Sequence, residues 1–345
     1  MSTLSKNTDE KSETETKTKK TRYDHVAETI LKHLENGVKP WVQPWIEGQG
    51  QVQKPVKADG QPYNGINTLT LWAKQAEKNY GYNQWMTERQ AQALGGHVID
   101  SEKKDKTWVV FSNSYTKKSI DKNTGDEIER AIRDYKSYPV YNVEQIKGLP
   151  HKFYDLIDIP ALNDEEHMAV ADEYLSHVNA RVCHGFDHAA YRPETDTIEL
   201  PDFNAFFDPV AYYGTRLHET VHWTAAPERL KRDLSNSKYG DENYAFEELV
   251  AELGNCYLSA DLGLEPELRE DHSSYIANWI NLLKDHPKAI FKAAAYAQKA
   301  VNFLNVLQNK PKIDLGIDTS IEYDHDEDLI PESQARVYNQ KGPQP

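Results

Sequence analysis

The chain has only two cysteines among 345 residues, Cys183 and Cys256, set far apart and outside any Cys-x-x-Cys spacing. That scarcity excludes a disulfide-stapled scaffold and a cysteine-rich zinc finger. No apolar run approaches the roughly 18 residues that a membrane-spanning helix needs, and the N-terminus has no apolar stretch of the secretory kind. A soluble, cytoplasmic protein is therefore expected. No internal repeat recurs at a period of about 20–50 residues, which excludes solenoids and propellers. What is there suffices for a core: apolar residues make up 38% and charged residues 28% of a chain long enough for two domains.

The net charge of −15 speaks against a polyanionic partner only until its distribution is examined. Residues 1–150 hold 23 Lys+Arg against 20 Asp+Glu, and the remainder 17 against 35. Partner choice follows the local field, so the first half can accept a nucleic acid and the second should repel one.

Residues 1–21 are Ser, Thr, Lys and Glu with little that is apolar, which predicts a disordered leader. Tyr23, Val26, Ile30 and Leu34 recur at helical spacing and Gly37 marks a stop. The prolines of Pro40-Trp41-Val42-Gln43-Pro44-Trp45 predict a stiff aromatic loop. Helices are expected over about 67–79 and, with Thr87 and Gln90 as a capping box and Gly95-Gly96 as the stop, over 88–94. Short strands are expected at 108–111 and 139–143, separated by a polar loop over 112–134.

The charge changes sign near 150–160, with Gly148-Leu149-Pro150 and Ile159-Pro160 there, so the domain boundary is placed in that interval. Beyond it Asn163 and Glu166 cap a helix carrying Met168, Ala171, Leu175 and Val178, and Thr197–Leu200 reads as a strand, possible as an edge for an extended peptide. Asp208 and Pro209 open a further helix as N-cap and first position, and helices follow from about 243, around Ile276–Leu283 and from Pro287. The last 30 or so residues, 311–345, are acidic and read as a loosely ordered tail.

The helix opened by Asp208 contains His218-Glu219-Thr220-Val221-His222. Two histidines four apart lie on one helix face and can share a cation, and a zinc site of this type uses the intervening Glu219 as general base rather than as ligand. Two imidazoles need a third protein ligand and an open position. In Phe246-Glu247-Glu248-Leu249-Val250-Ala251-Glu252, Glu248 and Glu252 share a face while Glu247 points about 100° away. Glu248 is assigned as third ligand and Glu252 as acceptor for a ligand histidine's other N–H, with a solvated charge as the alternative for Glu252. The histidines of Cys183-His184-Gly185-Phe186-Asp187-His188 have no spacing that aligns a second metal site.

In ordered motifs across residues 22–305 the chain resembles the ArdC-type antirestriction family. The resemblance rests on Leu34 to Trp41 with Pro44-Trp45, Pro62-Tyr63-Asn64-Gly65-Ile66-Asn67, Trp85-Met86-Thr87, Gly95-Gly96-His97-Val98 and Tyr141 to Leu149. In the second half it rests on His218 to Thr224, Arg229-Leu230 and Glu247 to Gly254. The chain departs from the family at Ile99 to Lys104, where a basic turn is usual, and at Ala225, where Gly is common.

The resemblance implies an α+β chain: a mixed α/β domain binding single-stranded DNA over 22–150, then a mainly helical zincin-like metallopeptidase domain over 155–310 with one Zn2+. It also implies an antirestriction protein of a plasmid or phage, delivered into a recipient cell with mobile DNA. Five of the seven tryptophans lie in the first half. Trp41, Trp45, Tyr63, Asn67, Trp85, Arg89, Lys103 and Lys106 are the candidate DNA contacts, since single-strand binding pairs aromatic faces with cations. For each aromatic the alternative is the core, and Trp72 on an apolar helix face reads as core. Two other functions stay open: a zinc protease brought by DNA to restriction enzymes or other DNA-bound proteins, and a DNA-binding module whose zinc is structural.

Overall fold

The structure is a computed structural model that describes residues 22–37, 39, 41, 53–120, 127–155, 163–234, 241–264 and 272–308. The leader 1–21, Trp45 and the tail 311–345 lie outside the described residues.

The first helix, α1 (Arg22–Glu35), buries Val26, Ala27, Ile30 and Leu34 and leaves Glu28 and Thr29 exposed, the 3.6-residue pattern that its sequence predicts. It ends near Gly37, whose φ of +73° an L side chain rarely adopts. Next, α2 (Ile66–Lys78) is buried on two sides. Leu69 and Trp72 enter the main core, whereas Leu71 joins Tyr63, Tyr80, Trp85, Val109 and Val140 in a smaller cluster.

That smaller cluster lies against a three-stranded antiparallel sheet ordered β1 (Trp85–Met86), β4 (Glu127–Asn142), β3 (Thr107–Ile120). The capping box of α3 (Glu88–Ala93) is present as predicted. A two-stranded pair, β2 (His97–Val98) with β5 (Ile146–Lys147), completes the first half. The polar stretch 112–134 is not simply a loop. Residues 107–120 and 127–140 pair without interruption, from Thr107 opposite Val140 to Ile120 opposite Glu127. A ladder is held by backbone hydrogen bonds, which a polar sequence without apolar alternation does not announce.

In the second half α4 (Asp164–Ser176) begins with the predicted Asn163–Glu166 box. A three-stranded sheet follows, ordered β6 (Arg181–Cys183), β8 (Thr197–Glu199), β7 (Ala190–Arg192). β8 pairs parallel to β6 and antiparallel to β7. Thr197–Glu199 is thus the central strand and not an edge; β7 and β6 are the outer strands, because the 184–196 segment folds back and pairs on the free side of β8.

Helix α5 (Pro209–Trp223) starts as predicted, with the Asp208 carboxylate accepting the Ala211 N–H at 2.7 Å. Helix α6 (Glu242–Leu262) starts at Asp241 and stops at Gly263. It packs against α5, α7 (His272–Asp285) and α8 (Ala289–Leu307). Both α1 and α2 share this core: Ile30, Leu34, Leu69 and Trp72 belong to one cluster with Leu217, Leu249, Tyr257 and Val301.

Polar contacts stitch the two halves together where they meet. Tyr257 donates to the Gly65 carbonyl at 2.9 Å, the Gly65 N–H donates to Gln298 at 3.0 Å, and Lys54 pairs with Asp261 at 2.7 Å. Helices α5 and α6 pack closely at Gly254, where a Cβ would lie 2.8 and 2.9 Å from the two methyls of buried Val221. Gly254→Ala is expected to push the helices apart and cost about 1–3 kcal/mol. Denaturant unfolding checks this, and parental stability would contradict the close crossing.

Candidate metal centre

The α5–α6 crossing sets three side chains face to face. His218 and His222 point their Nε2 atoms at each other across 3.2 Å, and the two oxygens of Glu248 lie 3.4 Å from His218 Nε2 and 3.5 Å from His222 Nε2. Ligands about 2.0–2.2 Å from one tetrahedral cation lie roughly 3.3 Å apart, so the three edges fit a single ion with a fourth position open. These three residues form the one candidate metal-binding group among the described residues. His184 instead meets the Tyr212 hydroxyl at 3.0 Å, and His188 meets Glu199 at 3.1 Å, so that segment builds no second centre.

Electrostatics holds the three together. Burial alone would raise Glu248, but the facing imidazoles of His218 and His222 outweigh it and hold its carboxyl far below the usual range. Burial would lower His222, yet Glu247 and Glu248 reverse that and raise it.

The side chains of this triad have further partners. His222 faces Glu247 through Nδ1 at 3.2 Å. The buried Glu247 is clamped in turn by Arg232, at 2.8 Å from Nη2 and 3.1 Å from Nε. Burial raises Glu247, and the Arg232 charge with the His222 hydrogen bond brings it below its usual range. Arg232 also donates to the Val221 carbonyl and the Thr224 hydroxyl, pinning the end of α5. Tyr244, one turn before Glu248, sits beside it with its phenol raised by burial and by the Glu248 charge, and shares a 3.0 Å hydroxyl contact with Tyr275.

Glu252 directs Oε2 towards His218 Nδ1 at 3.9 Å, longer than a hydrogen bond. Glu219 is buried beside the ligands, and its Oε2 accepts the Tyr191 backbone N–H of β7 at 2.8 Å. Arg229 lies 3.9 Å above the Trp223 ring and binds both Asp196 and the Tyr191 hydroxyl, so strand β7 is fixed against the end of α5.

The spacing that finds His218, Glu219, His222 and Glu248 misses Glu247 and Arg232. A helical wheel drawn for α6 alone turns Glu247 away, but α5 lies across α6, so a carboxylate to one side of Glu248 still reaches His222. A buried-charge argument could have found the pair, since a carboxylate held in the core needs a cation within reach.

The candidate DNA contacts separate into two groups. Trp41, Tyr63 and Trp85 are buried, the first at 1% and the last at 0% exposure, and a ring enclosed in core cannot present its face to a base. Trp41 stacks edge-on with Trp279 at 5.7 Å, and Trp85 likewise with Tyr80 at 5.8 Å. The Asn67 amide is occupied too, donating to the Val110 carbonyl at 2.8 Å and accepting the Val110 N–H at 2.7 Å, so it caps the outer edge of β3. Arg89, Lys103 and Lys106 are exposed. Lys103 pairs with Asp100, and the Lys106 ammonium lies 5.4 Å from the centre of the Trp108 ring. Among the described residues, the exposed large aromatics of this half, which the sequence reading missed, are Phe111 and Tyr138, 36% and 42% exposed, with ring centres 5.7 Å apart on the β3–β4 ribbon. Phe111 stands opposite the exposed Lys136.

Comparison with known proteins adds independent findings. Residues 20–141 match the N-terminal domain of anti-restriction factor ArdC, and residues 169–296 match a zincin-like metallopeptidase family. The chain is similar to the crystal structures of the antirestriction protein ArdC from plasmid R388, both metal-free (36% identical, TM-score 0.67) and Mn(II)-bound (35% identical, TM-score 0.68). Each comparison covers 84% of this chain and 98% of the other. An uncharacterised protein, y4eC, of Sinorhizobium fredii is 35% identical over 83% of this chain and 92% of its own. Two DNA primases TraC of Escherichia coli are 35% and 33% identical, each over 85% of this chain; the chain spans only 28% and 20% of their lengths. The zincin-like family match and the Mn(II)-bound relative support one divalent cation, which the cluster of His218, His222 and Glu248 could hold.

Arg232→Met would leave the Glu247 carboxylate buried without its cation and is expected to cost about 3–5 kcal/mol. Denaturant unfolding of the metal-free protein measures it, and a loss below 1 kcal/mol would contradict the clamp.

Proposed function

The chain belongs to the ArdC antirestriction family, and from that premise we propose that it binds single-stranded DNA through its first half and carries a zinc-dependent peptidase centre in its second. The observation that carries the peptidase reading is the position of Glu219. It lies between the two ligand histidines in the helix and is held by the backbone of an outer strand. A structural metal has no use for a buried carboxylate that is not a ligand, whereas a hydrolytic one needs a base.

In this reading a bound Zn2+ supplies a water of lowered pKa and polarises a peptide carbonyl. Glu219 accepts the water's proton at a carboxylate oxygen and returns it to the departing amine. The Tyr191 N–H and the Arg229–Asp196 lock keep Glu219 in place for both transfers. An extended peptide would lie along β7, the outer strand that reaches Glu219, with backbone hydrogen bonds giving affinity without sequence preference. The proteins on which it acts are restriction enzymes or other proteins met on DNA. Among the described residues no helix is long and apolar enough to cross a membrane.

For the DNA, the exposed pair Phe111 and Tyr138 with Lys136 and Lys106 supports a sequence-tolerant surface of stacked bases and nearby cations. The shared core of the two halves makes the full chain the right object for testing.

Glu219→Gln is expected to retain the fold and one metal per chain while abolishing cleavage of unfolded protein substrates. Persisting cleavage at the parental rate would sink the base assignment. The double variant Phe111→Ala, Tyr138→Ala should weaken binding of a labelled single-stranded oligonucleotide at least tenfold or so at low salt, since each stacked base is worth about 1–3 kcal/mol. Fluorescence anisotropy measures this, and parental affinity would move the DNA surface elsewhere.

A further inference from the structure

His218 Nδ1 is buried with no hydrogen-bond partner among the described residues, although its ring supplies Nε2 to the metal-binding group. Glu252 Oε2 lies 3.9 Å from it. The other oxygen of the same carboxylate is engaged by the first half of the chain: Lys39 Nζ donates to Oε1 at 3.0 Å and Trp41 Nε1 at 3.4 Å. Lys39, Trp41, His218 and Glu252 are all buried. The Lys39 ammonium also lies 5.9 Å from the centre of the Trp279 ring, against which Trp41 stacks.

We infer that Lys39 and Trp41 are positioning residues of the metal centre: they fix the Glu252 carboxylate so that its second oxygen, Oε2, faces Nδ1 of ligand His218. The inference rests on the reading of His218, His222 and Glu248 as the metal ligands. Its physical basis is directional. A carboxylate reached by two donors at one oxygen cannot rotate freely, and Oε2 is left aimed at the imidazole. An acceptor on the far nitrogen fixes the tautomer and the plane of a metal-bound histidine, and its loss typically weakens metal binding about 10–100-fold. A lysine in a core keeps its place only with an anionic partner, so Lys39 and Glu252 depend on each other.

The sequence Lys39-Pro40-Trp41 therefore belongs functionally to the second half, although it lies more than a hundred residues before that half begins. The tryptophan that the sequence offers as a base-stacking face serves instead as an indole donor to a carboxylate beside the metal.

The test is the affinity of the full chain for Zn2+ and Co2+ by chelator competition, with the visible absorption spectrum of the Co2+ form as a second reading. The parent, His218→Ala, Glu252→Gln, Lys39→Met, Trp41→Phe and the double variant Lys39→Met, Glu252→Gln are compared. Glu252→Gln and Lys39→Met should each bind metal about 10–100-fold more weakly with altered Co2+ spectra, and the double variant should be little weaker than Glu252→Gln alone. Trp41→Phe keeps the ring against Trp279 and removes only the N–H. It carries the test if Lys39→Met does not fold, with an expected loss of roughly threefold or more.

Parental affinity and an unchanged Co2+ spectrum in Lys39→Met and Trp41→Phe would overturn the inference. So would full additivity in the double variant. Failure of the underlying site is separately visible: in that case His218→Ala itself would bind metal as tightly as the parent.

Discussion

Helices α5 and α6 cross so closely that one methyl group at position 254 would collide with Val221, and the metal centre depends on that distance. Val221 sits between the two ligand histidines, and Gly254 lies just beyond Glu252 on the facing helix. A bulkier residue at the crossing would move His218 and His222 away from Glu248 and open a triangle whose edges are now 3.2–3.5 Å. Close backbone approach is the geometric condition; the chemistry follows from what each helix then presents.

Around the triangle, support arrives from three directions. Arg232 and Glu247 hold His222 from the segment after α5, Tyr244 attends Glu248 from one turn earlier in α6, and Lys39 and Trp41 reach Glu252 from the first half of the chain. Two of them engage buried carboxylates, Glu247 and Glu252, and such a group is costly unless its partner is in place. Strand β7 supplies a fourth constraint by donating Tyr191 N–H to Glu219, which ties the small sheet to the carboxylate between the histidines.

Local signals carried much of this in the sequence. The Asp208-Pro209 start of α5, the Thr87–Gln90 and Asn163–Glu166 boxes and the four-residue interval between His218 and His222 are readable because both partners lie within one turn. The fit of Glu248 follows from the same logic applied to the next helix. What was not legible depends on partners far away in the chain. Lys39 and Glu252 are 213 residues apart, and nothing near Trp41 says that its ring is enclosed by Trp279 rather than open to solvent. Proximity to lysines made Trp41, Tyr63 and Trp85 look like a binding surface, yet large aromatics bury more apolar area than any other side chain and the core took them. Phe111 and Tyr138 were passed over for the converse reason: Phe111 ends the expected strand 108–111 and Tyr138 stands just before the one at 139–143, and on the paired β3 and β4 both remain in solvent.

The two halves are joined more intimately than their opposite charge balance suggests. Helices α1 and α2 are buried in one core with α5 to α8, and the contacts of Gly65, Lys54 and Lys39 all fall on α6 or α8. The central claim is that one divalent cation binds at the α5–α6 crossing through two imidazoles and one carboxylate. X-ray absorption on the zinc-loaded full chain tests it most directly. The account predicts about one zinc per chain, with two imidazole nitrogens and carboxylate oxygen at roughly 2.0–2.2 Å. A shell with sulfur near 2.3 Å, or zinc without imidazole neighbours, would contradict it.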